Sequence, residues 1–354
     1  MKSNVINKKI SVPLKEQLRQ WILGRISTGD LKTGDRIPSI NKLAESFNIG
    51  RETIRLSLET LVQRGILIPH QGKGYFIAPR EKRVLRVGLL GKIDGVYIRP
   101  VYEGLTEELG GDVSILVMDN KSINRSISEL IENLAYHQSV DRLLIVPVRG
   151  NEEELNKQLE PFRRYFKIAW LDRSPKATKD AKFLCDYKEC VETGLDHFND
   201  CRIQSRYYFS RNSEDNSVFS LMRQTYRNYE EREGKRPAIL TSLDDVLRIV
   251  RNQKNDYPDK PVGILAETDE EGVYIHSRLM KYNVEIPQMV SLISCDNTGL
   301  TDLVSPNISS VDPGFKELGR QAALWIKRDH FNLSVKSQNT FIAKPVLIKK
   351  ETTG

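Results

Sequence analysis

Two sets of residues in this sequence have types and placements that could do chemistry. The first is Arg51, Glu52, Thr53 and Arg55, at the opening of an amphipathic run whose apolar stripe is Ile54, Leu58, Leu61 and Val62. Arg51 and Arg55 stand one helical turn apart, beside that stripe and clear of it. A guanidinium presented from the start of a helix can bond guanine O6 and N7 together, or clasp phosphate oxygens. Lys73, between Gly72 and Gly74, adds positive charge where the backbone can come close to a phosphate. The second set is Asp172 and Asp296, each directly after an apolar run (IAWL and SLISC), where a strand would end. A carboxylate placed there can accept two hydroxyl protons from a ligand.

These residues need elements to position them. Ile40, Leu43, Ala44 and Phe47 recur at helical spacing, Asn48-Ile49-Gly50 interrupts with turn residues, and Gly65 stops the second run. Short strands at 66–68 and 75–77 then flank a turn at 69–74. The spacing therefore predicts a helix-turn-helix with a β-hairpin wing, preceded by a helix on which Leu14, Leu18, Ile22 and Ile26 step by four. After the charged connector Arg80-Glu81-Lys82-Arg83 the pattern changes. Apolar strands at 84–90, 113–118, 142–148 and 166–171 alternate with helices at 100–109, 123–136 and 152–162. The alternation resumes with helices at 190–198, 219–231, 243–251 and 270–282 and strands at 206–210, 238–241, 262–266 and 290–294. Strict alternation implies parallel, doubly wound sheets. So many strands exceed one ordinary sheet, so two lobes facing across a cleft are expected, with ligands at the carboxyl ends of the strands.

Residues 12–79 resemble the DNA-binding domain of the GntR family of bacterial regulators, through PLKEQLRQWI, GDLKTGDRIPS, KLAESFNIGRETIRLSLETLVQRGIL and GKGYF in order. The resemblance implies DNA contacts from Arg51, Glu52, Thr53, Arg55, Gln71 and Gly72. Ser39, Asn41 and Lys73 complete the expected DNA-binding set; Asn41 stands where the family usually has an arginine, and Gly50 where it commonly has a capping Ser or Thr. Residues 84–350 resemble the effector domain of the LacI family, itself similar to periplasmic sugar-binding proteins. That likeness is carried by VGLLGKIDGVYIRPVYEGL, VDRLLIVPV, IAWLDRSP, AETDEEGVYIHSRLMKYNVEIP, SLISCDNTGLTDLVSPNISSVD and GFKELGRQAALWIKR. It implies sugar contacts from Asp172, Asp296 and Arg223, with Thr268-Asp269 standing for the family's Asn-Asp pair. Tyr97, in the first strand-to-helix loop, could stack on an apolar sugar face. A GntR head on a LacI-like body is the arrangement of AraR-type sugar regulators.

The expected protein is thus multidomain: a winged helix-turn-helix (1–79), a linker (80–83) and a two-lobed α/β periplasmic-binding-protein-like domain with parallel sheets (84–354). Lobe 1 is expected at about 84–202 and 299–330, and lobe 2 at about 203–298 and 331–354. Charge is segregated accordingly. Residues 1–83 hold 16 of the 54 Lys and Arg but only 7 of the 47 Asp and Glu, a net of +9; the remainder holds 38 and 40, a net of −2. A basic head followed by a near-neutral body suits a DNA module joined to a small-molecule sensor. No apolar leader and no run of 18 apolar residues is present, so a cytoplasmic location is expected. Cys185, Cys190, Cys201 and Cys295 form no C-x-x-C pair and read as reduced thiols, and the five histidines suggest no metal site. Neither cofactor nor catalytic residue is expected. Gly88, Gly91 and Gly95 lack dinucleotide-loop spacing, Gly72-Lys73-Gly74 is no Walker A loop, and no G-x-S-x-G elbow exists. The partners expected are operator DNA, a sugar effector and a second copy of the chain. The competing readings are a regulator with a non-sugar effector or protein partner, and an α/β enzyme fused to a DNA-binding head.

Overall fold

The computed structural model describes residues 12–27, 29–79, 85–91, 98–110, 113–119, 127–137, 140–147, 151–163, 165–211, 217–331 and 339–353. Helix α1 (Leu14–Ser27) begins behind Pro13, whose carbonyl accepts the first helical N–H bonds. Leu18 and Ile22 on it are fully buried against Leu43 of α2 (Ile40–Phe47) and Ile54, Leu58 and Leu61 of α3 (Arg51–Gln63). The chain turns between α2 and α3 because Asn48 adopts a left-handed conformation, φ 51°. β1 (Leu67–His70) pairs antiparallel with β2 (Gly74–Ile77), with His70 opposite Gly74. Gly72 and Gly74, at φ 70° and 96°, close the hairpin tip in a conformation side chains resist. The expected winged helix-turn-helix is the fold of this region.

The body begins with β3 (Leu85–Gly91), α4 (Ile98–Leu109), β4 (Val113–Asp119), α5 (Ile127–Glu132), β5 (Arg142–Ile145), α6 (Glu152–Leu159), β6 (Lys167–Asp172) and β7 (Ala181–Cys185). It continues with α7 (Tyr187–Asp200), β8 (Arg206–Phe209), α8 (Ser217–Arg232), β9 (Ile239–Leu240), α9 (Leu243–Asp256), β10 (Val262–Ala266), α10 (Asp269–Lys281), β11 (Val290–Cys295) and β12 (Ser309–Asp312). It ends with α11 (Phe315–Phe331), β13 (Thr340–Ala343) and β14 (Val346–Ile348). Two six-stranded sheets result, ordered β13-β7-β6-β5-β3-β4 and β14-β12-β11-β10-β8-β9. Each has apolar clusters on both faces, as doubly wound sheets require. The likeness to a two-lobed α/β domain with parallel sheets holds, with one antiparallel edge strand, β14 against β12.

The chain crosses between lobes three times: after β7, after β12 and after β13. At the first two it leaves the carboxyl end of a strand, so the carboxyl ends of both sheets meet at one seam. These crossings correct the expected lobe limits. β12 was expected in lobe 1, but it pairs with β11 in the second sheet; the chain changes lobe only after Asp312, at Pro313-Gly314 with Gly314 at φ 88°. β13 was expected in lobe 2, yet runs parallel to β7 in the first sheet. α7 was expected in lobe 1, but buries Val191, Leu195 and Phe198 with Leu265 and Ile293 of the second lobe. β7 itself was not anticipated, because AKFLC is short and set among charged residues. The helix expected at 123–136 is observed as α5, continued by a π-turn at 133–137.

One close contact braces the first lobe, and two more tie the head to it. α4 and α11 touch backbone to backbone: a Cβ on Gly104 or Gly319 would lie 2.0 Å from the carbonyl oxygen of Lys316 or Val101. The head is tied to the first lobe by Arg64, just beyond α3, whose Nη2 donates to Asp141 Oδ1 at 2.6 Å while Asp141 Oδ2 accepts the Arg86 N–H at 3.0 Å. Burial pulls the Arg64 pKa down against the attraction of Asp141. Val12, ahead of α1, joins the same lobe's apolar cluster with Leu90 and Trp170.

Candidate functional site

On the head, the opening of α3 and the wing tip are both exposed. Arg51, Glu52 and Arg55 are exposed, Thr53 is half-buried, and Ile54 and Leu58 beneath them are fully buried. Arg55 lies between Glu52 and Glu59, with Nε 2.9 Å from Glu52, and bonds both carboxylates. That bonding lowers the Glu52 pKa and raises that of Arg55. Arg51 has no ion-pair partner among the described residues. Ser39 caps α2 by accepting the Lys42 N–H at 3.3 Å, and Asn41, in the first turn of that helix, is exposed. Gly50 gives α3 no side-chain cap, leaving its first N–H groups outward. Gln71, Gly72 and Lys73 are exposed at the wing tip.

At the seam between lobes, Asp172 ends β6 with φ 70° and Asp296 follows β11 with φ 110°. Non-glycine residues held at positive φ cluster where structure serves a site rather than stability. Asp172 Oδ1 accepts the Tyr187 hydroxyl at 2.6 Å, and Oδ2 pairs with Arg173 Nη1 at 2.8 Å. Arg173 also donates to the Pro147 carbonyl at 2.6 Å and faces Glu152 at 3.3 Å. Tyr187 opens α7, so the Asp172 bond spans the first crossing. Burial, then Asp172, and more weakly Asp296, push the Tyr187 phenol well above its ordinary pKa. Burial and then Asp296, with Asp172 further down, do the same to the Cys190 thiol. Asp172 thus bonds the first residue of α7, while Asp296 lies just past the carboxyl end of β11 in the other sheet. Asp296 N–H is held by the Val311 carbonyl at 3.0 Å, and neighbouring Asn297 donates to Asp312 at 3.1 Å.

Arg223 projects from α8 toward the carboxyl ends of β8 and β10. Its Nε and Nη2 reach Glu267 at 3.0 and 3.3 Å, and Nη2 reaches Ser210 Oγ at 3.1 Å. Thr268 caps α10 through the Glu271 N–H at 3.3 Å. Asp269 accepts from Ser294, from Ser310 at 2.7 Å, and from both N–H and hydroxyl of Thr298 at 2.7 and 2.9 Å, which ties α10 to β11 and β12. Tyr97 lies outside the described residues. Asp172, Asp296 and Thr268 thus sit at strand ends or a helix start along the seam, and Arg223, in the second turn of α8, reaches the strand ends of the second lobe through Glu267 and Ser210. Glu267, Ser210 and Arg173 were missed. Glu267 and Arg173 carry the same signal that picked Asp172 and Asp296, a charged residue at the end of an apolar run. Such a lining of carboxylates, guanidinium groups and hydroxyls suits a ligand rich in hydroxyl groups. Among the described residues, no group of three or more His, Cys, Asp or Glu could hold a metal ion, and no helix is long and apolar enough to cross a membrane.

Residues 14–77 match the model of bacterial regulatory proteins of the gntR family, and residues 198–353 match a periplasmic binding protein-like domain. Two relatives are each described as an arabinose metabolism transcriptional repressor. That of Halalkalibacterium halodurans is 21% identical over 95% of this chain and 96% of its own length. That of Geobacillus stearothermophilus is 22% identical over 98% and 99%. A LacI family transcriptional regulator from Arthrobacter sp. FB24, solved in complex with lactose, superposes with a TM-score of 0.58 over 76% of this chain and 99% of its own, at 20% identity.

Proposed function

Because the chain joins a GntR-family DNA-binding domain to a LacI-like, periplasmic-binding-protein-like domain, we propose that it is a transcriptional repressor controlled by a small sugar. The placement of Asp172 and Asp296, each at the carboxyl end of a strand in one of the two sheets, in a chain that also carries an exposed recognition helix, is the observation that supports this most. Arg51 and Arg55 with Thr53 and Glu52 enter the major groove, while Ser39, Asn41, Gln71, Gly72 and Lys73 hold the DNA backbone beside it. The sugar lies between the lobes, with Asp172 and Asp296 accepting hydroxyl protons and Arg223 with Thr268 meeting it from the second lobe. Its contacts to both lobes favour the closed arrangement, since only a ligand that binds one state better shifts the balance. The Arg64–Asp141 pair makes the head ride on the first lobe, so closure re-aims α3 and releases the operator. The protein works in the cytoplasm as a two-fold dimer on a near-palindromic operator, because one winged helix reads few base pairs. It performs no reaction on its effector.

The relatives make arabinose the first sugar to test, alongside other pentoses, hexoses and deoxysugars. A sugar that binds the folded state raises the melting temperature. The same sugar should abolish the gel shift of genomic fragments selected by the protein itself. If no sugar moves the melting temperature and the selected DNA stays bound throughout, the reading fails. Light scattering that finds only monomer, with and without the DNA, removes the dimer.

A further inference from the structure

We infer that Glu267 sets the charge of the ligand this protein accepts: its buried carboxylate aims and neutralises Arg223, so that the second lobe takes hydroxyl groups and rejects carboxylates and phosphates. This rests on the cleft reading above. An arginine at a ligand site would ordinarily favour an anion, because its fork matches carboxylate and phosphate geometry. Here that fork already holds an anion. Glu267, directly after β10, is fully buried and collects Arg223 through both oxygens, the Ser210 hydroxyl at 2.7 Å and the Tyr208 hydroxyl at 3.4 Å. A buried carboxylate stays ionised only with such pairing and hydrogen bonding. Burial first, then Glu267, raises the Tyr208 pKa, while Arg223 opposes them.

The other cations near the strand ends are matched in the same way. Arg211, two residues past β8, bonds Glu271 at 2.9 and 3.2 Å and stacks over Tyr274 at 3.4 Å. Arg173 faces Asp172 and Glu152. Among the described residues, these ion pairs set three guanidinium groups against four carboxylates, Asp172, Glu152, Glu267 and Glu271. An arriving anion meets a surplus of negative charge in a region where burial weakens screening.

Glu267→Gln keeps the shape and an accepting oxygen but removes the charge. Calorimetry would compare wild type and variant on arabinose, arabinonate and arabinose 5-phosphate, and on glucose, gluconate and glucose 6-phosphate. Wild type should bind a neutral member and neither of its anionic counterparts. In the variant the neutral sugar should weaken by about tenfold and an anionic counterpart gain roughly 10- to 100-fold, the scale of one uncompensated charge near a partly buried site. A residue that merely holds the fold would weaken both without changing their ratio, so an unchanged ratio overturns the inference. Glu267→Asp retains the charge and should retain the rejection even where its shorter reach weakens sugar binding; gain of an anion by this variant, or by wild type, also overturns it. Failure of wild type to bind any neutral sugar sinks the cleft reading itself, which is a different outcome from a neutral-binding protein whose preference Glu267 does not control.

Discussion

On α3, Arg55 lies between Glu52 and Glu59 with all three side chains in water; on α8, Arg223 lies against Glu267, whose side chain is wholly buried. The partner types are the same and the consequences are opposite. The exposed pairs are screened by salt and exchange easily, so a phosphate or guanine can take the place of a glutamate at Arg55 with little loss. The buried pair cannot let go, because either charge left alone would face the cost of an unpaired ion in a poorly hydrated site. On the proposed function, the head would meet DNA with charges that are free to regroup, and the cleft would meet its ligand with charges already committed, offering it geometry. Substitutions should accordingly cost most where the pairing is buried and least on the open face of α3.

The sharpest test stands at the junction of the two regions. Asp141→Ala leaves Arg64, 1% exposed, without its carboxylate, and losing one partner of a buried pair costs about 3–5 kcal/mol. Urea unfolding of the full chain should record that loss, with Asp141→Asn intermediate. Because the pair ties head to lobe, operator release by sugar should also weaken. Wild-type stability in Asp141→Ala would mean that Arg64 finds water, and the contrast between buried and exposed pairs would lose its strongest case.

Within the seam, Asp172→Asn should remove a charge-assisted acceptor worth roughly 1.5–3 kcal/mol of sugar binding, or about 10- to 100-fold in affinity. Asparagine keeps the volume beside Tyr187 and Arg173, so calorimetry should find a folded protein that binds sugar poorly. Its operator affinity without sugar should match wild type, making it a repressor blind to its inducer. Unchanged sugar affinity would move the site away from this aspartate. On the head, Arg51→Ala should cost about 1–3 kcal/mol on the operator if it meets a base edge, with relaxed sequence preference. Arg55→Ala should cost less, since its glutamates already compete for it, and should flatten the salt dependence of binding if it holds a phosphate. Equal losses in both would argue that the Glu52 and Glu59 pairing does not survive in the complex.

The head was legible in the sequence because its information is local. Leu43, Ile54, Leu58 and Gly65 report helix and stop within a few residues, and the charged positions follow from the stripe they avoid. The alternation of strands and helices in the body was legible for the same reason, as were Asp172 and Asp296 at their strand ends. What joins distant segments was not. Arg64 and Asp141 are 77 positions apart, and Arg223 and Glu267 are 44 apart. β12 and β13 could be assigned to sheets only by their partners, Ile293 opposite Ser309 and Phe183 opposite Phe341, since a strand of four residues reads alike in either lobe. Arg223 itself came from resemblance; its state, locked to Glu267, could come only from geometry.

The smallest effect is expected at Gly50, the cap position of α3. Its backbone, φ −58° and ψ 140°, is one any residue can adopt, and a Cβ there would approach only Thr53 Oγ1, at 3.9 Å. Gly50→Ser therefore fits without strain, and its hydroxyl can accept one of the first-turn N–H groups that glycine leaves to solvent. Serine over glycine at such a cap is worth only a few tenths of a kcal/mol, because glycine also tolerates the position well. Slower hydrogen exchange confined to the opening turn of α3, with the melting temperature of the body unmoved, is the expected result. If the first-turn N–H groups instead hold a phosphate in the operator complex, the new hydroxyl competes with it, and operator affinity should fall slightly while helix stability rises. Opposite signs from one substitution would separate what those groups do for the helix from what they do for DNA.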